Sequence, residues 1–112
     1  MSLSVRVGKV GIDVGPHVIY CGRPGHGMQG PFGNPFIVGR DGTRDEVIAK
    51  HAAWFHAPEQ EPLRAQLLGV TILALARSGR DEVVLTCFCH PKSCHCDTMA
   101  RWLRPSLIED ED

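Results

Sequence analysis

The chain lacks any apolar run near the roughly eighteen residues that a membrane-spanning helix needs, and its opening MSLSVRVGKVG has no apolar stretch leading to a small-residue cleavage site. A soluble, cytoplasmic protein with no membrane partner is the resulting expectation. Aromatic residues are sparse at 6%, but 43% apolar and 22% charged residues are ordinary globular usage, so wholesale disorder is not indicated. Charge of either sign is nearly balanced at −1, and four of the thirteen acids stand at Glu109, Asp110, Glu111 and Asp112. The rest carries twelve basic against nine acidic side chains, too mild an excess to argue nucleic-acid binding from bulk charge, although Arg23, Arg40 and Arg44 could act locally. Neither G-x-x-x-x-G-K-[ST] nor G-x-G-x-x-G occurs, so no standard phosphate fingerprint is present.

What is present fits one α/β domain over residues 1–108, with 109–112 an acidic tail. The length of 112 residues is enough for one core without obligatory staples. Val5 and Val7 alternate with Arg6 and Gly8, and HVIYC (His17 to Cys21) is a short β-branched and aromatic run, so both read as strands. Phe36 to Val38 reads as a brief third strand. Thr43-Arg44-Asp45-Glu46 fits a capping box, and Val47, Ile48, His51, Trp54 and Phe55 follow at helical spacing until Pro58 stops the pattern. A second helix is predicted from about Pro62 to Ser78 with Gly79 as its cap, and the β-branched Val70, Thr71 and Ile72 after Gly69 are placed to split it. EVVLTCF (Glu82 to Phe88) is the best strand candidate, and MARWL (Met99 to Leu103) the last helix. The expected fold is a short sheet with helices packed on it and a Cys-rich loop before the final helix.

Four of the five cysteines fall within ten residues, from Cys87 to Cys96. In a chain otherwise poor in cysteine and without a secretory signal, that density favours metal or redox chemistry over a disulfide framework. Thiolates and imidazole suit zinc, with an iron–sulfur cluster the lesser alternative. Strand period 2 would send Cys87 and Cys89 to one face, and Ser93 read as an N-cap would put Cys94 and His95 in the first helical turn, where free N–H groups favour a thiolate. Cys87, Cys89, Cys94 and His95 are therefore the expected ligands, with Cys96 or His90 able to replace one. Packed thiols without a metal are the plain alternative. Cys21 follows an apolar strand and reads as a core thiol, and His51 as a hydrogen-bonded core residue.

YCGRPGHGMQGPFGNPF, residues 20–36, is the other feature. Glycines let backbone approach a ligand, Arg23 offers a planar fork for phosphate or carboxylate, and Asn34, on a stiff Asn-Pro turn, can both donate and accept. A plain turn-rich surface loop is equally compatible with composition. IYCGRP, GPFGNPF, DGTRDEVIAKHAAWF and LTCFCHPKSCHCD together make the chain resemble the bacterial and phage family catalogued as Domain of Unknown Function 4326, over about residues 18–103. The matching positions are Gly22, Arg23, Pro24, Gly33, Asn34, Pro35, Phe36, Thr43, Arg44, Cys87, Cys89, Cys94, His95 and Asp97. The chain departs from the family pattern at Phe88, often tryptophan there, and at Cys96, usually glycine, which leaves room for an extra thiol ligand. The resemblance implies a shared fold unit and paired sites, not a reaction.

The leading expectation joins a zinc site to a pocket of Gly22, Arg23, Gly33, Asn34 and Arg44 for a phosphorylated small molecule, a nucleotide, or a nucleic-acid end. Were it an enzyme, Asp97 or a metal-bound water would supply the base. The alternatives are a non-enzymatic zinc-stapled interaction module and a thiol redox protein. Sequence leaves the oligomeric state open.

Overall fold

A computed structural model describes residues 3–25, 30–89 and 92–107. His90, weighed above as a ligand, and the acidic tail lie outside the described residues. In chain order the elements are β1 (Ser4–Lys9), β2 (Val18–Tyr20), α1 (Arg44–Phe55), a 3-10 turn (Pro58–Gln60), α2 (Glu61–Ser78), β3 (Glu82–Cys87) and α3 (His95–Leu107). No helix among the described residues is long and apolar enough to cross a membrane.

The sheet has the order β1-β3-β2, and β3 is parallel to both neighbours. Val5 stands beside Val83 and Val7 beside Leu85 on one side; Ile19 stands beside Leu85 on the other. Backbone bonds carry the β2 pairing one residue past the strand at each end, from Val84 N to His17 O (3.1 Å) and from Cys21 N to Thr86 O (2.7 Å). β3 is buried from Val83 to Cys87, as a central parallel strand should be when both faces are covered. Val83, Leu85 and Cys87 join the main core with Phe55, Leu67, Met99 and Leu103, on the side where α2 and α3 pack against the sheet. Full burial of each such aliphatic side chain stabilises the fold by roughly 1.5–3 kcal/mol.

The alternate residue Val84 faces the other way, toward the β1–β2 connection. That connection passes so close that a Cβ on Gly8 would lie 2.2 Å from Asp13 Oδ2 and 2.7 Å from Val84 Cγ1. Asp13 is held there by Arg6 Nη2 (2.7 Å) and by the Lys9 N–H (3.1 Å). Gly8 is therefore a contact glycine: it lets a chain segment replace a helix as the cover of this face.

Local signals explain the helices. The Thr43 hydroxyl accepts from Glu46 N (3.2 Å) while Glu46 Oε1 accepts from Thr43 N (2.8 Å), the reciprocal arrangement of a capping box. α2 carries proline in its first turn and ends at Gly79, whose φ of 68° is the left-handed cap conformation. The expected split at Gly69 does not occur. Thr71 Oγ1 donates to Leu67 O (2.7 Å), so its hydroxyl is satisfied inside a continuous helix.

Two local expectations need correction. Phe36 to Val38 is not a strand, because no neighbouring strand receives it; the Ile37 N–H donates to Asp41 Oδ2 and the Asp41 N–H to Ile37 O, both at 2.8 Å, closing a turn. The final helix begins at His95, so Cys94, and not Ser93, stands at its cap position.

Two glycines should respond oppositely to alanine. Gly8→Ala forces Asp13 or Val84 to move and should cost about 1–3 kcal/mol, with the melting temperature falling about 4–8 °C per kcal/mol. Gly69→Ala adds a methyl into open space in mid-helix and should stabilise by about 0.5–1 kcal/mol. Thermal unfolding of both variants checks the pair; a Gly8→Ala protein as stable as the wild type refutes the close-cover account.

Candidate functional site

Parallel pairing brings the carboxyl ends of β2 and β3 to the same edge, where the chain continues into the glycine-rich loop on one side and the Cys-rich segment on the other. Ligand crevices of open α/β sheets form at such strand ends. A cavity of about 220 Å³ lies there, lined by Tyr20, Arg23, Asn34, Phe88, Cys89 and His95 among others. A second, of about 290 Å³, is lined by Arg44, Val47, Ile48 and Cys94, and shares Arg23, Asn34, Cys89 and His95 with the first. The two cavities share four lining residues along one crevice edge, so the glycine-rich loop and the Cys-rich segment meet in space.

The glycines of the loop act by close approach between backbone segments. A Cβ on Gly30 would lie 2.4 Å from Pro24 N, and one on Gly33 would lie 2.9 Å from Gly22 O. Gly22 lies against the ring of Tyr20, whose hydroxyl donates to Arg23 O. Gly33 thus shapes the loop without lining either cavity. Asn34 is buried; its Oδ1 accepts from Phe36 N (2.9 Å) and its Nδ2 donates to Val47 O (3.4 Å), which ties the loop to α1. Arg23 donates to Phe36 O (2.8 Å) and Arg44 to Ser93 O (3.1 Å). Neither guanidinium pairs with a carboxylate among the described residues, and each has five N–H donors.

The thiols gather beside this crevice. The sulfurs of Cys87, Cys94 and Cys96 lie within 4.8 Å of one another, all three residues buried, and this group could hold a metal ion. Cys87 and Cys94 share a hydrogen bond at a sulfur–sulfur distance of 3.1 Å, longer than the roughly 2.05 Å of a disulfide, and all five cysteines are free. The hydrogen bond from Cys87, together with burial, pushes the Cys94 thiol up to about 12; Cys96 is pushed well above its ordinary range, first by its contact with Cys21 and then by Cys87 and Cys94.

This grouping differs from the expected ligand set. Cys87 and Cys94 are in it. Cys89 stands beyond the end of β3; it lines the same cavity as Cys87 and packs, partly buried, against the core, but lies outside the three-sulfur group. His95 Nε2 donates to the Cys21 carbonyl, and burial lowers the basicity of its ring. Cys96, weighed only as a substitute, occupies the second residue of α3 and completes the group. Cys21, read as a core thiol, is fully buried and touches Cys96. Asp97 Oδ2 accepts from the Cys94 N–H (3.1 Å), fastening the start of α3.

The chain matches the model of a domain of unknown function, DUF4326, over residues 6–105. It belongs to the DUF4326 family. No curated protein and no solved structure matches it. The crevice and the thiol group therefore have to be read from this DUF4326 domain's own residues.

His51 sits under the crevice, its ring stacked on Phe55 (centroids 5.5 Å apart) and edge-on to His95 (5.1 Å). It is fully buried, and neither ring nitrogen has a hydrogen-bond partner among the described residues, contrary to the satisfied core histidine expected. Burial lowers its pKa to about 3, with His95 and His56 adding repulsion. The unfolded chain accepts a proton near the ordinary value of 6.5, whereas the folded chain refuses it until about 3. Stability is therefore complete above that ordinary value and falls as pH drops through the window, by up to about 1.4 kcal/mol per pH unit from this residue. Urea unfolding at several pH values should show that slope in the wild type and a shallower one in His51→Phe; equal slopes would refute the assignment.

Proposed function

We propose that the domain binds a phosphorylated ligand carrying a flat ring, a nucleotide or a nucleic-acid end, in the strand-end crevice, with a zinc ion held by the buried thiols of its wall. The observation that carries this reading is the sharing of Arg23, Asn34, Cys89 and His95 by both cavities, which joins an aromatic compartment to a cationic one. Tyr20 and Phe88, with ring centroids 6.2 Å apart, flank the first and offer an aromatic wall for a base. Arg23 and Arg44 line the second and suit phosphate oxygens through charge-assisted, forked hydrogen bonds. Each cavity is at or below the usual 300–1,000 Å³ of a ligand pocket, so such a ligand would occupy both.

Zinc is favoured for the thiol group because buried sulfurs form the kind of soft, closed site that structural zinc takes. The arrangement supports binding more directly than catalysis. Asp97, the residue expected to serve as a base, already accepts a backbone hydrogen bond and does not line the crevice.

Two measurements test the two parts. Protein purified without chelator should contain close to one zinc per chain by elemental analysis; less than about 0.2 metal ions per chain sinks the metal reading. Titration calorimetry with nucleoside monophosphates should find a ligand whose affinity drops at least about tenfold in Arg23→Ala and in Arg44→Ala, the loss expected for a hydrogen bond to a charged group. Binding that ignores both substitutions, or no binding by any nucleotide tried, sinks the pocket reading and leaves an interaction module as the better account.

A further inference from the structure

A fourth cysteine, Cys21, belongs to the same core cluster as the three-sulfur group, outside its 4.8 Å span, and comes from a different part of the fold. The β2–β3 pairing places Tyr20 beside Thr86, and the Cys21 N–H to Thr86 O bond of 2.7 Å carries the ladder forward, so that the next step sets Cys21 beside Cys87. Neighbouring residues on parallel strands stand about 4.8 Å apart and send their side chains to the same face. Cys21 and Cys87 accordingly both belong to the main core, together with Cys94 and Cys96. Cys21 is fully buried and neighbours Cys96, while its thiol donates to the Ile19 carbonyl at 3.6 Å. Two sulfurs thus come from adjacent strand ends and two from the start of α3.

We propose that Cys21 is the fourth ligand of the metal, closing a tetrahedral site of Cys21, Cys87, Cys94 and Cys96. A tetrahedral ion with metal–sulfur bonds near 2.3 Å spaces its sulfurs about 3.8 Å apart. The three sulfurs already within 4.8 Å of one another are close to that spacing, and Cys21 would join them from the Cys96 side by giving up its bond to the Ile19 carbonyl. Of the competing donors, His95 Nε2 is bonded to the Cys21 carbonyl, and Cys89, which packs against the same core and lines a cavity with Cys87, lies outside the three-sulfur group. The site so closed is structural. It staples β2, β3 and α3 together directly before Gly22 and Arg23.

This inference rests on the metal part of the proposed function and is independent of the nucleotide part. X-ray absorption at the zinc edge of the purified wild-type protein should show four sulfurs near 2.3 Å, and the same four in Cys89→Ser. Cys21→Ser should show three sulfurs and one lighter donor. Three sulfurs with a nitrogen or oxygen in the wild type overturns the role of Cys21 while leaving a metal site standing, and absence of metal overturns both. A sulfur lost in Cys89→Ser also overturns it. If Cys21→Ser does not fold, the sulfur counts of the wild type and Cys89→Ser decide the matter on their own.

Discussion

Parallel pairing on both sides of β3 is the constraint from which the rest follows. Because both neighbours run in its direction, their carboxyl ends emerge at one edge of the sheet, and Tyr20 and Cys87 deliver the glycine-rich loop and the Cys-rich segment to the same place. An antiparallel partner would have sent one of them to the opposite edge. The arrangement demands that β3 be covered on both faces. α2 and α3 cover one; a short connection, admitted by Gly8, covers the other. Tight packing around β3 and the position of the crevice are therefore one architectural fact.

Glycines near a candidate anion pocket invite the reading that they cradle phosphate. Here Gly30 and Gly33 press against the backbone of residues 22–24, and Gly22 against Tyr20, so their lack of a side chain serves the loop's own packing. Residues 22–24 and 30–36 thus pack on one another, and Asn34 braces them against α1. In the proposed function, binding chemistry falls to the guanidinium groups of Arg23 and Arg44, each oriented by a backbone carbonyl. A guanidinium already held in place loses less rotamer freedom when it meets an anion.

Signals carried by neighbouring residues were legible in the sequence: the capping box at Thr43, proline and Gly79 at the ends of α2, the apolar run of β3, and the concentration of thiols after it. Those that depend on what packs across from a residue were not. Phe36 to Val38 has strand composition but no strand to pair with, and Ser93 is a good cap residue placed one position too early. The thiol group shows the difference most clearly. Spacing placed Cys89 with Cys87, and the two line one cavity, but the three sulfurs that lie closest together are those of Cys87, Cys94 and Cys96. Cys21 lies 66 positions before Cys87, and only the register of β2 on β3 brings the two together.

Electrostatics then separates the duties of the two halves of the site. Buried thiols without a cation keep their protons: contact with the neighbouring thiols, and then burial, push Cys94 and Cys96 up. A divalent ion would remove that obstacle, yet with the four thiolates proposed it would form a centre of net negative charge, which repels phosphate. In the proposed function, then, the metal is not what attracts an anion to the crevice. That task falls to Arg23 and Arg44, and the role left to the metal is mechanical, holding the strand end that leads to Arg23.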